Sequence, residues 1–352
     1  MGYIILVIFI FTAILCYLED YIKNYRLPLY LLIGLILILV AGLREVGIDP
    51  DSENYEYTYQ HYYANKALDG VEYSYILLSS IFNTITSDVH IMFLFYAAVG
   101  ISLKFLAFRK YNISYFLPIL VYIAFYYELH EITQIRTCIL SGLLLLTIIE
   151  IAEKNKKKAI ILLLIGAFFH VSAFLLFPLV FLSNKPLTKK QKIICASLIP
   201  ISYIIYFSGM SLIMNTNIPY IGDKIALYQK GVEKGILNVS INVFSPLQLF
   251  IICLYYLTLY FHDTIIRFNK YTPLLLKTAI IGISAFATFA ILPVFAQRVS
   301  YLFDIVNIIL YSSIIFAFKQ KWIGITIVVL ISLVLLNYGF VYIQFPFLWK
   351  VG

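Results

Sequence analysis

Charged residues are scarce in this chain. Asp, Glu, Lys and Arg make up 12% of its 352 residues, about half the share usual in soluble domains. Hydrophobic residues account for 62%. The apolar runs show no alternation of period two, which argues against a transmembrane β-barrel. The composition therefore predicts an all-α polytopic membrane protein.

Cysteines are few, and the common cofactor motifs are missing. The four cysteines are far apart in sequence and form no CxxC or Cys/His cluster, so neither a disulfide framework nor a metal site is expected. The sequence contains no P-loop, GxGxxG or HExxH motif, and we expect no cofactor. Asp49-Pro50-Asp51 has the DxD spacing of metal-dependent nucleotide-sugar enzymes, but it lies in a loop predicted to face outward, whereas nucleotide donors are cytoplasmic.

Positive charge is in excess, with a formal net charge of +8. Most basic residues lie in six short loops between apolar runs, so they indicate membrane orientation rather than nucleic-acid binding. The loops carry Lys23/Arg26, Arg109/Lys110, the lysines of 154–158, the lysines of 185–192, Arg267/Lys270 and Lys319/Lys321. By the positive-inside rule, all six loops are predicted to face the cytoplasm.

Ten apolar runs are predicted to span the membrane, and two more are ambiguous. The ten are 2–18, 27–43, 90–108, 114–128, 135–152, 193–207, 245–261, 273–295, 301–318 and 322–340. The ambiguous runs, 73–86 and 159–182, are predicted to be re-entrant or interfacial. If neither of these runs crosses the membrane and the N-terminus is outside, all six basic loops lie on the cytoplasmic side. If 159–182 were an ordinary span, every later basic loop would face outward, so we favour re-entry.

The chain is predicted to be a single integral membrane domain, 1–352, with two long outward loops, 44–72 and 208–244. The first loop is acidic and rich in tyrosine, and the second contains a predicted amphipathic helix near 223–234. Loops of this length among otherwise short connections are usually functional. Their aromatic side chains are suited to stacking against sugar rings.

Three arginines, Arg44, Arg136 and Arg298, interrupt or border the apolar runs. Burying a guanidinium in lipid is costly, so such side chains normally face a watery cavity lined by protein. Arginine keeps its proton and binds phosphate oxygens two at a time. The three arginines therefore predict an anionic ligand that carries phosphate.

Acidic residues and a histidine near these arginines are candidate acid–base groups. The candidates are Asp49, Glu72, His130 and Glu131. A poorly solvated carboxylate there would have the raised pKa that a general base needs. Each candidate also has a plainer interpretation. Asp49 could be the ion-pair partner of Arg44, and Glu72 could be a helix-terminal carboxylate. His130 and Glu131 could be solvated residues of an outward turn.

Two further polar groups lie in or beside predicted membrane segments. His170 is at the centre of 159–182, which would place it at the tip of a re-entrant hairpin. Arg298 is followed by Tyr301 and Asp304, and an internal Arg298–Asp304 ion pair is its plainer interpretation. Ionisable residues inside membrane segments are functional by default, which favours a site.

Five sequence elements, in this order, resemble the EpsG-like branch of the Wzy-type bacterial polysaccharide polymerases. They are Arg44…Gly47…Asp49…Tyr55, Gly70…Glu72, Gln134-Ile135-Arg136, Phe169-His170-Val171-Ser172 and Arg298…Tyr301. Each element is weak alone, and the ordered set is more specific. Asp51 lies two residues after Asp49, so the sequence leaves open which of the two acids is the functional acid of the first element.

The resemblance implies a GT-C-like membrane glycosyltransferase of the bacterial cytoplasmic membrane, with its site facing outward. Such proteins join oligosaccharide repeat units carried on undecaprenyl diphosphate, for O-antigen, capsule or exopolysaccharide. The growing chain moves to a second lipid-linked unit, and undecaprenyl diphosphate leaves. The implied partners are these lipid-linked glycans and the bilayer, together with a chain-length regulator and a flippase.

Each candidate residue receives a role in this reaction. Arginines can neutralise the leaving diphosphate without a metal ion, and Arg136 and Arg298 are predicted to bind it, assisted by Arg44. The acceptor hydroxyl needs a base, and sugars need aromatic surfaces. The predicted bases are His170, Glu72, Asp49 and Glu131, and the predicted sugar contacts are Tyr55, Tyr73 and Tyr301.

Other functions share part of this pattern. An O-antigen ligase uses the same lipid donor, and a membrane acyltransferase would need a His–acid pair near a cytoplasmic acyl donor. A lipid-linked oligosaccharide flippase or anion transporter could also use arginines in a cavity, although the sequence shows no internal duplication. A transporter's charged residues should be distributed across the membrane, whereas those of a polymerase should gather near the outer leaflet.

Overall fold

The computed structural model describes residues 1–64, 71–208 and 241–341, which form helices and connecting loops without any β-strand. Lipid offers the backbone no hydrogen-bonding partner, so a chain this apolar pairs its amides and carbonyls within helices. The predicted amphipathic helix near 223–234 lies outside the described residues.

The described residues form fifteen α-helices. They are α1 Gly2–Leu18, α2 Arg26–Gly42, α3 Ser52–Gln60, α4 Tyr73–Phe82, α5 His90–Tyr111, α6 Leu117–Val121, α7 Ile135–Ala152, α8 Lys156–Phe169, α9 Lys189–Phe207, α10 Pro246–Tyr260, α11 His262–Ile265, α12 Thr272–Thr288, α13 Pro293–Asp304, α14 Asn307–Ser313 and α15 Lys321–Val341. Two π-helices, Tyr122–Tyr126 and Glu128–Thr133, follow α6, and a 3-10 helix, Val171–Phe181, follows α8.

Four helices in the described part of the chain are long and apolar enough to cross a membrane: Lys23–Gly42, His90–Tyr111, Ile135–Ala152 and Lys321–Gly339. A fifth candidate is the pair Pro293–Asp304 and Asn307–Ala317, which is bent by 48°. The predicted membrane class is thus confirmed, with four to five candidate spans by length and composition, whereas ten were predicted.

Two neighbouring span boundaries were predicted wrongly: the end of 273–295 and the start of 301–318. The span predicted at 273–295 ends as a helix at Thr288, and the helix predicted to begin at 301 begins at Pro293. Proline suits the first turn of a helix because its φ is already helical and it needs no amide partner there. The new helix therefore starts eight residues earlier and carries Arg298 within it.

The six basic loops meet at one end of the bundle, which we call the basic end. Contacts between the loops are Arg26–Asp20–Lys321, Glu153–Lys270, Asn184–Lys270, Tyr111–Tyr271 and Phe268–Phe316. The positive-inside rule requires such a gathering, because every basic loop is expected on the same side of the membrane.

Residues 159–182 fold into a hairpin with His170 at its tip. Helix α8 begins at the basic end, its 14 residues extend about 21 Å, and the chain then turns through the extended backbone of His170. The following 3-10 helix returns to the start, since Lys156 Nζ lies 5.9 Å from the ring centroid of Phe181. Both ends of the segment are therefore at the basic end, the geometry expected of a re-entrant segment.

Helices α5 and α7 approach each other closely through glycines. A Cβ atom at Gly142 would lie 2.8 Å from Leu103 Cβ, and one at Gly100 would collide with the Cys138 side chain. Small residues allow such close helix packing in membranes. The contact brings Lys104 of α5 beneath the first turns of α7, where its ammonium donates to the Cys138 carbonyl at 2.6 Å.

The hairpin makes a topology prediction that uses single cysteines. In a Cys253→Ser background, which removes the exposed native cysteine, Lys157→Cys and Lys189→Cys are expected to react with a membrane-impermeant maleimide from the same side. Lys110→Cys serves as the control for the basic end. Labelling of positions 157 and 189 from opposite sides would show that 159–182 is an ordinary span.

Candidate functional site

A polar cavity lies at the end of the bundle opposite the basic end. Helices α7 and α8 each have one terminus at the basic end, and the residues at their other termini line this cavity. It holds about 480 Å³ of empty space, including its open mouth. Its lining residues are Asp51, Tyr55, His130, Gln134, Arg136, Thr137, His170, Ser172, Arg298 and Leu302.

Arg136 enters the cavity from the N-terminus of α7. The preceding π-helix ends at Thr133, and the chain breaks at Gln134 (φ −106°, ψ 61°) before α7 begins at Ile135. The Arg136 guanidinium pairs with Glu72 and lies 5.6 Å from the ring centroid of Tyr55. A helix N-terminus adds unpaired amide groups and positive potential, so the position favours an anion.

Arg298 enters from the first turns of α13, and its side chain is exposed. It forms no salt bridge with any residue in ranges 1–64, 71–208 and 241–341. The alternative of an Arg298–Asp304 pair is wrong, because Asp304 accepts hydrogen bonds from Ser300 Oγ at 2.9 Å and Asn307 Nδ2 at 3.4 Å. Arg298 is therefore available to a ligand.

Asp51 is the carboxylate that lines the cavity, and sequence reasoning did not select it. It stands at the N-cap of α3, yet its side chain makes no capping hydrogen bond. Burial raises the pKa of Asp51, whereas Arg298 and Arg136 lower it in part. The sequence did show a second acid in Asp49-Pro50-Asp51, but spacing alone could not decide which of the two acids faces the site.

Glu72 contacts both Arg136 and His170, which were predicted as site residues from other motifs, although Glu72 does not itself line the cavity. Its Oε1 lies 3.4 Å from His170 Nε2, while its Oε2 pairs with Arg136. Since His170 Nδ1 accepts the Ser172 amide at 3.1 Å, a neutral ring carries its proton on Nε2 and directs it towards Glu72. Three residues predicted from separate motifs thus form one contact network.

Arg44 and Asp49 form a buried pair that is absent from the cavity lining. Arg44 Nε lies 3.0 Å from Asp49 Oδ2, and neither side chain has exposed surface. Arg44 also donates to the Ala41 carbonyl at 2.7 Å and lies 3.9 Å from the ring centroid of Phe93. This matches the plainer interpretation of an ion pair and does not support direct contact of either residue with substrate.

Glu131 and His130 are both buried, at 1% exposure, so their interpretation as solvated residues of an outward turn is wrong. Helical structure continues to Thr133 and carries them into the bundle. Glu131 pairs with Lys104 at 2.7 Å, and neither side chain is exposed. His130 lines the cavity, whereas Glu131 lies beneath it.

Sequence reasoning missed Lys104, which lies within the predicted span 90–108. Its signal was available, because one lysine among apolar residues needs a buried partner. The partner, Glu131, also accepts a hydrogen bond from the Tyr122 hydroxyl. The sequence could not show this pairing because the two residues are far apart along the chain.

Of the three tyrosines predicted to contact sugars, only Tyr55 is among the lining residues of the cavity. Tyr55 lines the cavity, and burial raises its pKa to about 12, so its hydroxyl stays protonated. Tyr73 is 68% exposed and packs edge-on against Phe168. Tyr301 packs near Phe125 and is not among the lining residues.

Among the described residues, no group of three or more His, Cys, Asp or Glu side chains could hold a metal ion.

Fold and site together define a helical membrane protein with a cationic cavity at one end. The EpsG family model matches residues 27–350, and the chain therefore belongs to the EpsG family. This confirms the resemblance seen in the sequence and supports a function of the polysaccharide-polymerase type. No curated protein and no solved structure matches the chain.

The Lys104–Glu131 pair yields a stability prediction. Lys104→Met leaves Glu131 buried without its cation and should lower the free energy of unfolding by about 3–5 kcal/mol. The double variant Lys104→Met/Glu131→Gln should recover part of that loss. Reversible denaturation in mixed micelles measures both.

The exposed pair Lys270–Glu153 provides the matched control. Its side chains are 66% and 39% exposed, so Lys270→Met should cost at most about 1 kcal/mol. Equal losses for Lys104→Met and Lys270→Met would contradict the structural role assigned to the buried pair.

Proposed function

We propose that this protein is a polymerase that joins oligosaccharide repeat units carried on undecaprenyl diphosphate, at the outer face of the bacterial cytoplasmic membrane. The observation that carries the proposal is that Arg298, which forms no salt bridge with any described residue, lines the same open cavity as Arg136. Membership of the EpsG family agrees with it. In this proposal the ten apolar runs form a GT-C-like bundle, and the product is a surface polysaccharide of the O-antigen type.

The two arginines suit a leaving diphosphate. As the bond between the anomeric carbon and the phosphate oxygen breaks, negative charge grows on the diphosphate, and fixed cations stabilise that charge. Arg298 offers its donors freely, and Arg136 adds both a guanidinium and the N-terminus of α7. Both charges are permanent, so the site needs no proton donor for so good a leaving group.

Glu72 and His170 hold Arg136 in place for this task. An arginine already neutralised and oriented by a carboxylate loses less conformational freedom when it binds phosphate. Glu72 contacts Arg136 on one oxygen and His170 on the other, which fixes the angle of the guanidinium. Glu72 and His170 are therefore assigned chiefly to positioning within this proposal.

The remaining lining suits a sugar acceptor. Tyr55 presents an aromatic ring, and Gln134, Thr137 and Ser172 present hydrogen-bonding groups along the same cavity. Sugars bind through such a combination of ring stacking and hydrogen bonds to hydroxyls. The acceptor repeat unit would thus enter from the open mouth, next to Asp51 and helix α3.

The placement of charge favours an enzyme over a transporter. The charged groups of the cavity lie at the end opposite the basic loops, and the deeper pair Lys104–Glu131 has no exposed surface. A transporter requires polar groups along a path through the membrane. Among the described residues, the charged groups that line the cavity instead gather at one end.

The arginines can be tested by complementation of a gene deletion and by assay of the purified protein. Arg136→Ala and Arg298→Ala should each lower the rate of polymerisation by about 10²-fold or more, because a charge-stabilising group is lost from the transition state. In cells, single repeat units should then replace long chains on the surface. Gel electrophoresis of the glycan measures chain length.

Arg267→Ala is the matched control, since Arg267 is an exposed arginine at the basic end. It should leave chain length unchanged. Long chains in both cavity variants would remove the assignment of Arg136 and Arg298. Loss of every transferred unit, single repeats included, would point instead to a ligase or a flippase.

A further inference from the structure

We infer that Asp51 is the general base that takes the proton from the acceptor hydroxyl. The inference rests on the proposed function and deepens it, because it names the residue that acts on the second substrate. The observation behind it is that Asp51, which forms no salt bridge with another described residue, lines the cavity that holds Arg136 and Arg298.

Three other carboxylates near the site are already engaged in ion pairs. Glu72 is held by Arg136 and His170, Asp49 by Arg44, and Glu131 by Lys104. Asp49 and Glu131 have no exposed side-chain surface, so a sugar hydroxyl does not reach them. Glu128 has no salt bridge among the described residues, but it is 1% exposed and is not among the lining residues. Elimination among the described carboxylates near the site therefore leaves Asp51, the acid in the lining.

His170 and His130 fit the role less well. The Nδ1 atom of His170 accepts the Ser172 amide, and its Nε2 faces Glu72. Both ring nitrogens are thus occupied within the protein. His130 is 1% exposed and lies within hydrogen-bonding range of Thr137, at 3.4 Å. Asp51 is only partly buried and lines the cavity.

The buried pair Arg44–Asp49 explains how Asp51 is held. Asp49 Oδ1 accepts the backbone amide of Asp51 at 3.1 Å, while Asp49 Oδ2 binds Arg44. The turn before it uses Gly47 at φ 87°, a conformation that residues with a Cβ rarely adopt. Arg44 and Asp49 are therefore positioning residues, and they fix the backbone from which the Asp51 side chain extends.

The arginines and Asp51 provide separate groups for the two substrates. Arg298 and Arg136 influence Asp51 electrostatically, but neither forms a salt bridge with it. A diphosphate can lie against the arginines while a hydroxyl lies against the carboxylate. Burial raises the pKa of Asp51 above its usual range, which brings it closer to the value that a general base needs.

The proposed step balances without any further reactant. The acceptor hydroxyl gives its proton to Asp51 as its oxygen bonds to the anomeric carbon of the donor chain. The bond from that carbon to the phosphate oxygen breaks, and undecaprenyl diphosphate leaves with the electron pair. Asp51 then releases the proton to water, which restores the carboxylate.

The test compares Asp51→Asn and Asp51→Glu with wild type in two assays on purified protein: binding of a polyprenyl diphosphate, and transfer between lipid-linked units. Asp51→Asn should lower kcat by about 10²- to 10⁴-fold. It should bind the polyprenyl diphosphate as tightly as wild type or more tightly, because a negative charge beside the arginines is lost. Asp51→Glu should restore part of the rate.

Glu53→Gln is the matched control, an exposed acid on the same helix, and should behave as wild type. The pH profile gives an independent readout. Wild-type kcat should fall as the pH drops through the pKa of Asp51, and Asp51→Asn should lose this limb. The groups facing Asp51 that could add to the profile are Asp49, Tyr55, His130, Arg136, His170 and Arg298.

Three outcomes would overturn the inference. Wild-type kcat in Asp51→Asn would show that the base lies elsewhere. Loss of polyprenyl diphosphate binding together with transfer in both variants would show a structural role. Failure of the wild-type protein to bind any polyprenyl diphosphate would instead refute the proposed function, and this inference with it.

Discussion

The high cost of an unpaired charge in hydrocarbon governs this structure. The four cations in and around the site therefore meet one of two solutions. Lys104 and Arg44 are paired with carboxylates and have no exposed surface, whereas Arg136 and Arg298 open into a polar cavity. The first solution stabilises the bundle, and the second leaves charge available to a ligand. Because the two kinds are packed on neighbouring helices, the structural pairs also position the site.

Interruptions of helices provide the space for that site. The chain leaves helical geometry at Gln134, at His170 and before Pro293, and each interruption delivers a lining residue. Irregular backbone is tolerated at membrane depth only where protein or water can satisfy it. The polar cavity can therefore satisfy the irregular backbone, and the irregular backbone in turn places the lining residues of the cavity.

Sequence reasoning recovered much of the site because membrane chemistry makes polar residues conspicuous. Arg136, Arg298, His170 and Tyr55 were predicted from their place in apolar or tyrosine-rich segments, and all four line one cavity. It was less successful wherever a partner distant in the sequence determines the outcome. Lys104 was overlooked for that reason, since its counter-ion comes from another segment.

The sequence by itself determined the class of protein, the gathering of basic loops and the family elements, because hydropathy and charge are local properties. Only tertiary structure decided which charged residues are mutual partners and which face open space. Asp49 and Asp51 illustrate the difference. They are two residues apart and chemically identical, yet one is buried against Arg44 and the other lines the cavity. That choice depends on which helix packs against each side chain, and no local pattern encodes it.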